Sequence, residues 1–465
     1  MPRLPTTIAG LQAEYREGRL SPVDVVGDAL RRCERLNPTL NFVAHELAQR
    51  ARLEAEWAAA DLEKGDHQPG ALLGVPITVK DNLPTLGDPL TQGSRTQIGT
   101  IGAVEPAGIK RLRDAGAIVV AKTTTPEFAH SVTTTSDLFG VTRNPWSVER
   151  TPGGSSGGAS AAVAGGVGVV AIGTDGGGSI RCPASCCGLY GLKATLGRIP
   201  FETMPDGFAN YAFMGPLART VGDLASVLAV MAGEHRDDPH ALSVAAPPIE
   251  SIAGKGTPSL GGRRAAWIGR IDRYSVDWQV SEAMAATLRH LSEAGVDLVE
   301  LSDRSVLDVF DDYVVIATSA HAGRYGALLD SQPDLLTPSM RACIEQGRTW
   351  SAARLVQALD ARTRLFRSIQ AILKDVDFLL TPTLTAPPKL ATDEGAINSP
   401  AYAEWACFLY PFNLTGHPAV TMPMGLSDAG LPIGLQAVGN WYAENDLIDL
   451  MRWMEAATAF ALPDF

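Results

Sequence analysis

What constrains this chain most is an alternation kept up almost to its C-terminus, in which stretches of helical spacing take turns with short, nearly uncharged apolar runs. Ser21-Pro22-Val23-Asp24 supplies a cap, a first-turn proline and an acidic residue ahead of Val25, Val26, Ala29 and Leu30, which predicts a helix to about Leu36. A second, alanine-rich helix is predicted from about Glu46 to Lys64, and Gly74 to Val79 follows as a β-type run with Lys80 at its end. Gly108 to Ala115 then precedes the run Ala117 to Ala121, and Ala159 to Ala164 precedes Val167 to Ile172. Later strand candidates are Ala265 to Ile268, Val296 to Leu301, Val376 to Leu380, Ala419 to Met422 and Ile433 to Val438. Strands that are apolar on both faces need helices on both sides, so the expected fold is an α/β/α sandwich around a mixed, mostly parallel sheet.

A chain of 465 residues exceeds the size at which one core usually stops growing, about 250–300 residues, and two domains would be the simple expectation. The Pro-, Ala-, Ser- and Gly-rich span Leu242 to Gly262 is the best linker candidate, but strand candidates lie on both sides of it. We therefore expect a single domain over 1–465: an N-terminal helical segment to about residue 65, a core over about 70–240, and 263–465 adding strands to the same sheet. Hydrophobic residues make up 45% and charged residues 19%, which suits a globular chain rather than a disordered one. A formal charge of −12 argues against nucleic acid as a partner, since binders place Lys and Arg against phosphates. Cys33, Cys182, Cys186, Cys187, Cys343 and Cys407 are scattered without a disulfide pattern, which points to the cytoplasm, and neither CxxC nor HExxH accompanies them, so no metal is expected. No apolar stretch follows a positive start, and the longest nearly uncharged run, Ala159 to Thr174, is broken by Gly165, Gly166, Gly168 and Gly173. Neither a signal peptide nor a membrane segment is expected.

The chemistry concentrates where glycine does, in TPGGSSGG at 151–158 and GTDGGGSIR at 173–181. Glycine allows positive φ and close approach, both needed where consecutive N–H groups converge on an anionic oxygen. Gly176, Gly177 and Gly178 are read as an oxyanion hole, with Ser179 as the nucleophile beside it. A serine hydroxyl needs a base, and none of the eight histidines lies in a segment that reads as a catalytic loop. A lysine kept neutral by burial is the physical alternative, and Lys80, closing an apolar strand, is the best placed. GGSSG at 153–157 also fits the G-x-S-x-G elbow, which would make Ser155 the nucleophile, but the polar stretch Asn144 to Arg150 stands where a buried strand should lead into it. No GxxxxGK[ST] or GxGxxG phosphate loop occurs.

Several separate motifs, in order, resemble the amidase signature family over nearly the whole chain: Gly74 to Asp81, Lys122-Thr123 through Phe128, Gly153 to Gly158, Gly173 to Arg181, Gly188 to Lys193, Gly215 to Thr220, Asn413 to Gly416 and Gly430 to Gln436. The resemblance implies an amidase with no cofactor, acting on a small amide with water, and places the base on Lys80, a bridging serine on Ser155 and the nucleophile on Ser179. The two serines stand 24 positions apart, matching the family's spacing. It further implies a cis peptide before Ser155, with Asp175 and Arg181 fixing the nucleophile loop and Ser156 assisting through hydrogen bonds. Three positions depart from the family pattern: Gly176 where Thr or Ile is common, Ala194 where proline is common, and Cys186 paired with Cys187. Of these, Gly176 bears on function, since it loosens the oxyanion loop or widens the acyl site. The family also includes the A subunit of the tRNA-dependent amidotransferase, which works with other subunits, and a catalytically silent interaction protein on the same fold is the third reading. A homodimer is the one self-association expected. Phe128, Phe208, Tyr211, Phe213 and Tyr410 are read as pocket lining or core.

Overall fold

The computed structural model describes residues 6–64, 71–242, 247–252, 254–458, 460 and 462. Residues 1–5 of the expected N-terminal segment, 65–70, 243–246 and 253 of the linker candidate, and the last positions of the chain lie outside the described residues.

The strands, in chain order, are β1 (Val43–Glu46), β2 (Pro76–Lys80), β3 (Ile118–Thr123), β4 (Thr135–Ser136), β5 (Gly140–Val141), β6 (Val170–Asp175), β7 (Tyr190–Lys193), β8 (Phe213–Ala218), β9 (Arg264–Trp267), β10 (Asp297–Glu300), β11 (Phe378–Pro382), β12 (Ala419–Leu426) and β13 (Pro432–Val438). Apart from the small β4–β5 pair, they form one 11-stranded sheet in the order β1-β3-β2-β6-β8-β7-β12-β13-β11-β9-β10. Strands from both sides of the 242–262 span therefore share that sheet, and its described residues pack on the same body: Leu260 is buried and Asn445 Nδ2 donates to Pro248 O at 3.0 Å. Alternate residues of a strand face opposite layers, and β12 obeys this. Val420 and Met422 pack with Leu224, Leu228, Leu447 and Met451 of the helices Val221–Met231 and Glu444–Thr458. Ala419 joins the opposite layer with Tyr313, Val315, Leu365 and Ile369 of the helices Phe310–Ser331 and Ala352–Leu373. The result is the expected α/β/α sandwich.

The sheet is mixed, but parallel pairing is confined to β3-β2-β6 at one side and β11-β9-β10 at the other. The centre, β6-β8-β7-β12-β13-β11, is antiparallel throughout, which corrects the expectation of a mostly parallel sheet. For β12 and β13 the reason is connection length: they are joined by five residues, 427–431, too few for the crossover that parallel strands require. The first predicted helix runs on to Leu40 through Pro38 and stops where Asn41 turns left-handed at φ 53°, and the second is preceded by β1 and begins at Ala48. Among the described residues, no helix is long and apolar enough to cross a membrane.

Candidate active site

The parallel pair β2 and β6 brings two C-terminal strand ends side by side, the usual place for chemistry in such a sheet. Lys80 closes β2, and Thr174 and Asp175 close β6. The glycine run and Ser179 form the turn from β6 into the short helix Arg181–Cys187, while Ser155 and Ser156 lead into the helix Gly157–Ala164.

Lys80 is fully buried, and its Nζ lies 2.6 Å from Ser155 Oγ and 2.9 Å from Thr174 Oγ1. Burial pushes the amine well below the ordinary lysine value, with the charge of Asp175 opposing only part of that effect. A neutral amine can accept the Ser155 hydroxyl proton at that separation and still donate to Thr174. Asn82 Nδ2 donates to the same Thr174 oxygen at 2.9 Å, fixing it. The Gly154–Ser155 peptide is cis. A Cβ on Gly154 would come within 2.6 Å of the Val132 carbonyl carbon, so only glycine lets the loop pass there. Ser156 Oγ donates to Thr174 O at 3.1 Å, and the Ser156 N–H donates to Ser179 O at 3.3 Å, joining the two glycine-rich segments. Ser155 is fully buried, whereas Ser179 keeps 8% of its surface exposed, and no hydrogen bond to protein engages its hydroxyl among the described residues. The approach to Ser155 is irregular chain from Thr142 to Ser156 rather than a strand, so the elbow geometry is absent. No histidine joins these contacts.

Asp175 and Arg181 lie beneath the glycine turn, both fully buried, in a bidentate pair with two 3.0 Å contacts. Burial alone would raise the Asp175 carboxyl, but the Arg181 charge and hydrogen bonds, Asn413 and the Lys193 charge outweigh it and hold the group below the usual carboxylate range. Arg181 also donates to Leu409 O, Gln436 Oε1 and Asn413 Oδ1 at 2.6–3.0 Å, so every edge of the guanidinium is satisfied. Asp175 in turn accepts from the N–H of Gly178 at 2.6 Å and of Ile180 at 3.1 Å.

That contact corrects one part of the sequence reading. The Gly178 N–H is committed to Asp175 Oδ1 and cannot face a substrate oxygen, and its φ of +117° makes glycine obligatory for shape instead. The N–H groups of Gly176, Gly177 and Ser179 have no protein acceptor among the described residues. At Gly176 φ is not positive, and a Cβ would meet only Ala212 and Tyr211 at 3.9 Å, so this glycine leaves open space beside the turn. Phe128, Phe213, Tyr211 and Tyr410 are buried, while Phe208 is 88% exposed.

Sequence reasoning passed over Thr174 and Asn82, although both stand beside residues it chose. Asn413 and Gln436 were noted only as parts of motifs, and Tyr313 and Tyr402 not at all. These two phenols reach the carbonyls of Gly176 and Gly177 from the C-terminal half. Cys182, Cys186 and Cys187 are free and buried on the helix Arg181–Cys187, and among the described residues no three His, Cys, Asp or Glu side chains are grouped as metal ligands.

The chain is similar over its whole length to proteins of one kind. The A subunit of glutamyl-tRNA(Gln) amidotransferase from Synechococcus sp. (strain CC9605) is 33% identical over 489 residues, with 99% of this chain and 98% of that protein covered. A bacterial aryl acylamidase of the amidase signature enzymes superimposes with a TM-score of 0.89 at 28% identity, covering 97% of this chain and 96% of the other. The peptide amidase of Stenotrophomonas maltophilia does so with a TM-score of 0.85 at 25% identity, covering 100% and 99%. With the Amidase family model matched from residue 24 to 448, the chain belongs to the amidase signature family.

Proposed function

We propose that this chain is an amidase that hydrolyses a carboxamide bond through an acyl-enzyme on Ser179. The observation that carries the reading is the fully buried Lys80, its amine pushed well below the ordinary lysine value, 2.6 Å from Ser155 and one residue from the backbone contact that joins Ser156 to Ser179. Ser155 passes its proton to Lys80 and takes the proton of Ser179, whose Oγ attacks the substrate carbonyl carbon. The oxygen that becomes negative is received by N–H groups of the glycine turn, Gly176 and Gly177 among them. As the C–N bond breaks, the relayed proton returns to the leaving amine, and water then cleaves the Ser179 ester by the same route in reverse. Esters and carbamates are compatible with this chemistry, and the space beside Gly176 suits a bulky acyl group. The single-domain boundary 1–465, a cytoplasmic setting and action without a metal belong to the same proposal.

A second reading has its own support. The curated relative at 33% identity is an amidotransferase A subunit, and release of ammonia from an amide by one component of a larger complex would use the same first steps. The isolated chain separates the two. Hydrolysis of anilides, aliphatic amides or esters by the purified protein supports the autonomous amidase. Turnover that needs co-purifying subunits and glutamine supports the amidotransferase role, and a properly folded chain inert in both settings leaves the silent interaction protein.

A further inference from the structure

Two tyrosines from the C-terminal half converge on the backbone of the glycine turn. Tyr313, in the helix Phe310–Ser331, has its hydroxyl 3.4 Å from Gly176 O, and Tyr402, in the helix Pro400–Trp405, donates to Gly177 O at 2.8 Å. The two hydroxyls are 3.1 Å apart, and the rings stack at 5.9 Å with only 3° between their planes. Tyr410 extends the stack, 4.9 Å from Tyr313, but its own hydroxyl is directed to Ala403 O at 3.5 Å, away from the turn. Both phenols are fully buried, and a Cβ on Gly177 would collide with both hydroxyls.

In a trans peptide the C=O and N–H point in opposite directions, so a donor fixed on the carbonyl decides where the N–H is aimed. The Gly177–Gly178 peptide is held at both ends, by Tyr402 on its oxygen and by Asp175 on its N–H. The Gly176–Gly177 peptide is held on its oxygen by Tyr313, and its N–H has no protein acceptor among the described residues. Each hydroxyl has one proton. The Tyr402 proton goes to Gly177 O, the shorter contact, and the Tyr313 proton is shared between the Tyr402 oxygen and Gly176 O.

We propose that Tyr313 and Tyr402 form a phenol pair that positions and polarises the oxyanion-binding peptide of Gly176 and Gly177. The proposal rests on the reading of Ser179 as nucleophile. When the Gly177 N–H donates to a developing oxyanion, Gly176 O gains negative charge and draws the Tyr313 proton to itself, while Tyr402 keeps the neighbouring peptide in place. The hydrogen-bonded chain strengthens as charge develops, so it favours the transition state over bound substrate. Burial, the largest cause at each, raises both hydroxyls well above the ordinary tyrosine value, which keeps them protonated as donors. Both are positioning residues that act through the backbone, not groups that touch substrate.

The test uses the full chain with Tyr313→Phe, Tyr402→Phe and Tyr410→Phe, a fluorophosphonate that labels the nucleophile, and phenylboronic acid as a tetrahedral mimic. Removing a direct oxyanion donor lowers kcat by about 10²–10³-fold, so a group acting one peptide away should be worth about tenfold. Tyr313→Phe and Tyr402→Phe should each lower the labelling rate, the boronate affinity and kcat on a 4-nitrophenyl ester by about that factor, with KM within about twofold. Tyr410→Phe should leave all three within about twofold, whatever it does to thermal stability. Wild-type labelling rates in the first two variants would overturn the proposal, and so would an equal loss in Tyr410→Phe, which would mark a general loosening of the stack. Should either variant fail to fold, 3-fluorotyrosine at that position keeps the ring and makes the hydroxyl a stronger donor. Labelling should then be faster than wild type, and a rate equal or slower would count against the pair. A wild-type enzyme labelled at a residue other than Ser179 overturns the nucleophile assignment itself, an outcome distinct from unaffected variants of an enzyme that labels there.

Discussion

Lys80→Met removes the amine while keeping a side chain of similar length in a site closed to water. An amine that is neutral in the fold and charged in the unfolded chain releases a proton on folding, so the unfolded state binds more protons and stability rises with pH. The penalty is ~1.4 kcal/mol for each pH unit below the free lysine value of ~10.4, or about 4 kcal/mol at pH 7.5 if the amine is neutral there, as a general base must be. The contribution of Lys80 is thus fully present above the unfolded value and lost as pH falls toward the depressed folded one. The variant escapes that penalty but loses the contacts with Ser155 and Thr174, and an unsatisfied buried hydroxyl costs ~1–3 kcal/mol. Lys80→Met should therefore be inactive, yet more stable than wild type by about 1–3 kcal/mol at pH 7.5. The advantage should shrink by ~1.4 kcal/mol per pH unit and vanish between about pH 8 and 10. Urea unfolding of both proteins from pH 7 to 9.5 measures this, since midpoints and slopes give the stability at each pH. Burial lowers Lys122 and Lys193 as well, but both proteins carry them and their effect cancels in the difference. A gap between the two proteins that does not change with pH would mean that Lys80 folds with its proton on, and the general-base role would be refuted.

Ser179→Ala should abolish turnover with an unchanged fold, and mass spectrometry of the wild type should find the fluorophosphonate on Ser179; an adduct on Ser155 would revive the elbow reading. Lys80→Arg should be as impaired as Lys80→Met, because a guanidinium cannot take up the relayed proton, and near-normal amide hydrolysis by it would show that only the positive charge matters. Asp175→Asn keeps the shape but leaves the Arg181 guanidinium buried without its counter-charge, so urea unfolding should register a loss of about 3–5 kcal/mol. Exhaustive dialysis against a chelator should leave the rate on a 4-nitrophenyl ester unchanged, because the proposed oxyanion donors are backbone N–H groups; loss restored by one divalent ion would contradict the mechanism.

Lys80, Ser155 and Ser179 could be singled out because each carries a local signature, an apolar strand ending in lysine and two serines embedded in glycine, and the fold brings Lys80 to Ser155. The strands β7 and β8 were not, since Gly191, Gly215 and Pro216 interrupt the apolar runs by which a strand is recognised. β1 was passed over, as its four residues fall in the short gap between the two predicted helices, with only Glu46 inside the second, and are too few to show an alternation of their own. The groups that hold the glycine turn were out of reach for another reason. Tyr313, Asn413 and Gln436 meet Gly176, Asp175 and Arg181 across 137, 238 and 255 residues of chain, and only the sheet order and the layer packed on it bring them there.

The glycine run shows how far a local motif can be read. From sequence, three consecutive glycines look like three equivalent N–H donors facing one oxygen. Successive peptide planes are free to turn independently, so their N–H groups converge only if something fixes each plane. Here the fixing groups differ: Tyr313 takes the oxygen of one peptide, while Tyr402 and Asp175 take both ends of the next. The second plane is thereby fixed at both ends, and the Gly178 N–H is spent within the protein. Which glycine N–H is left without a protein acceptor is thus decided by side chains far away in sequence, and the same GGGS run on another scaffold would present a different set of N–H groups.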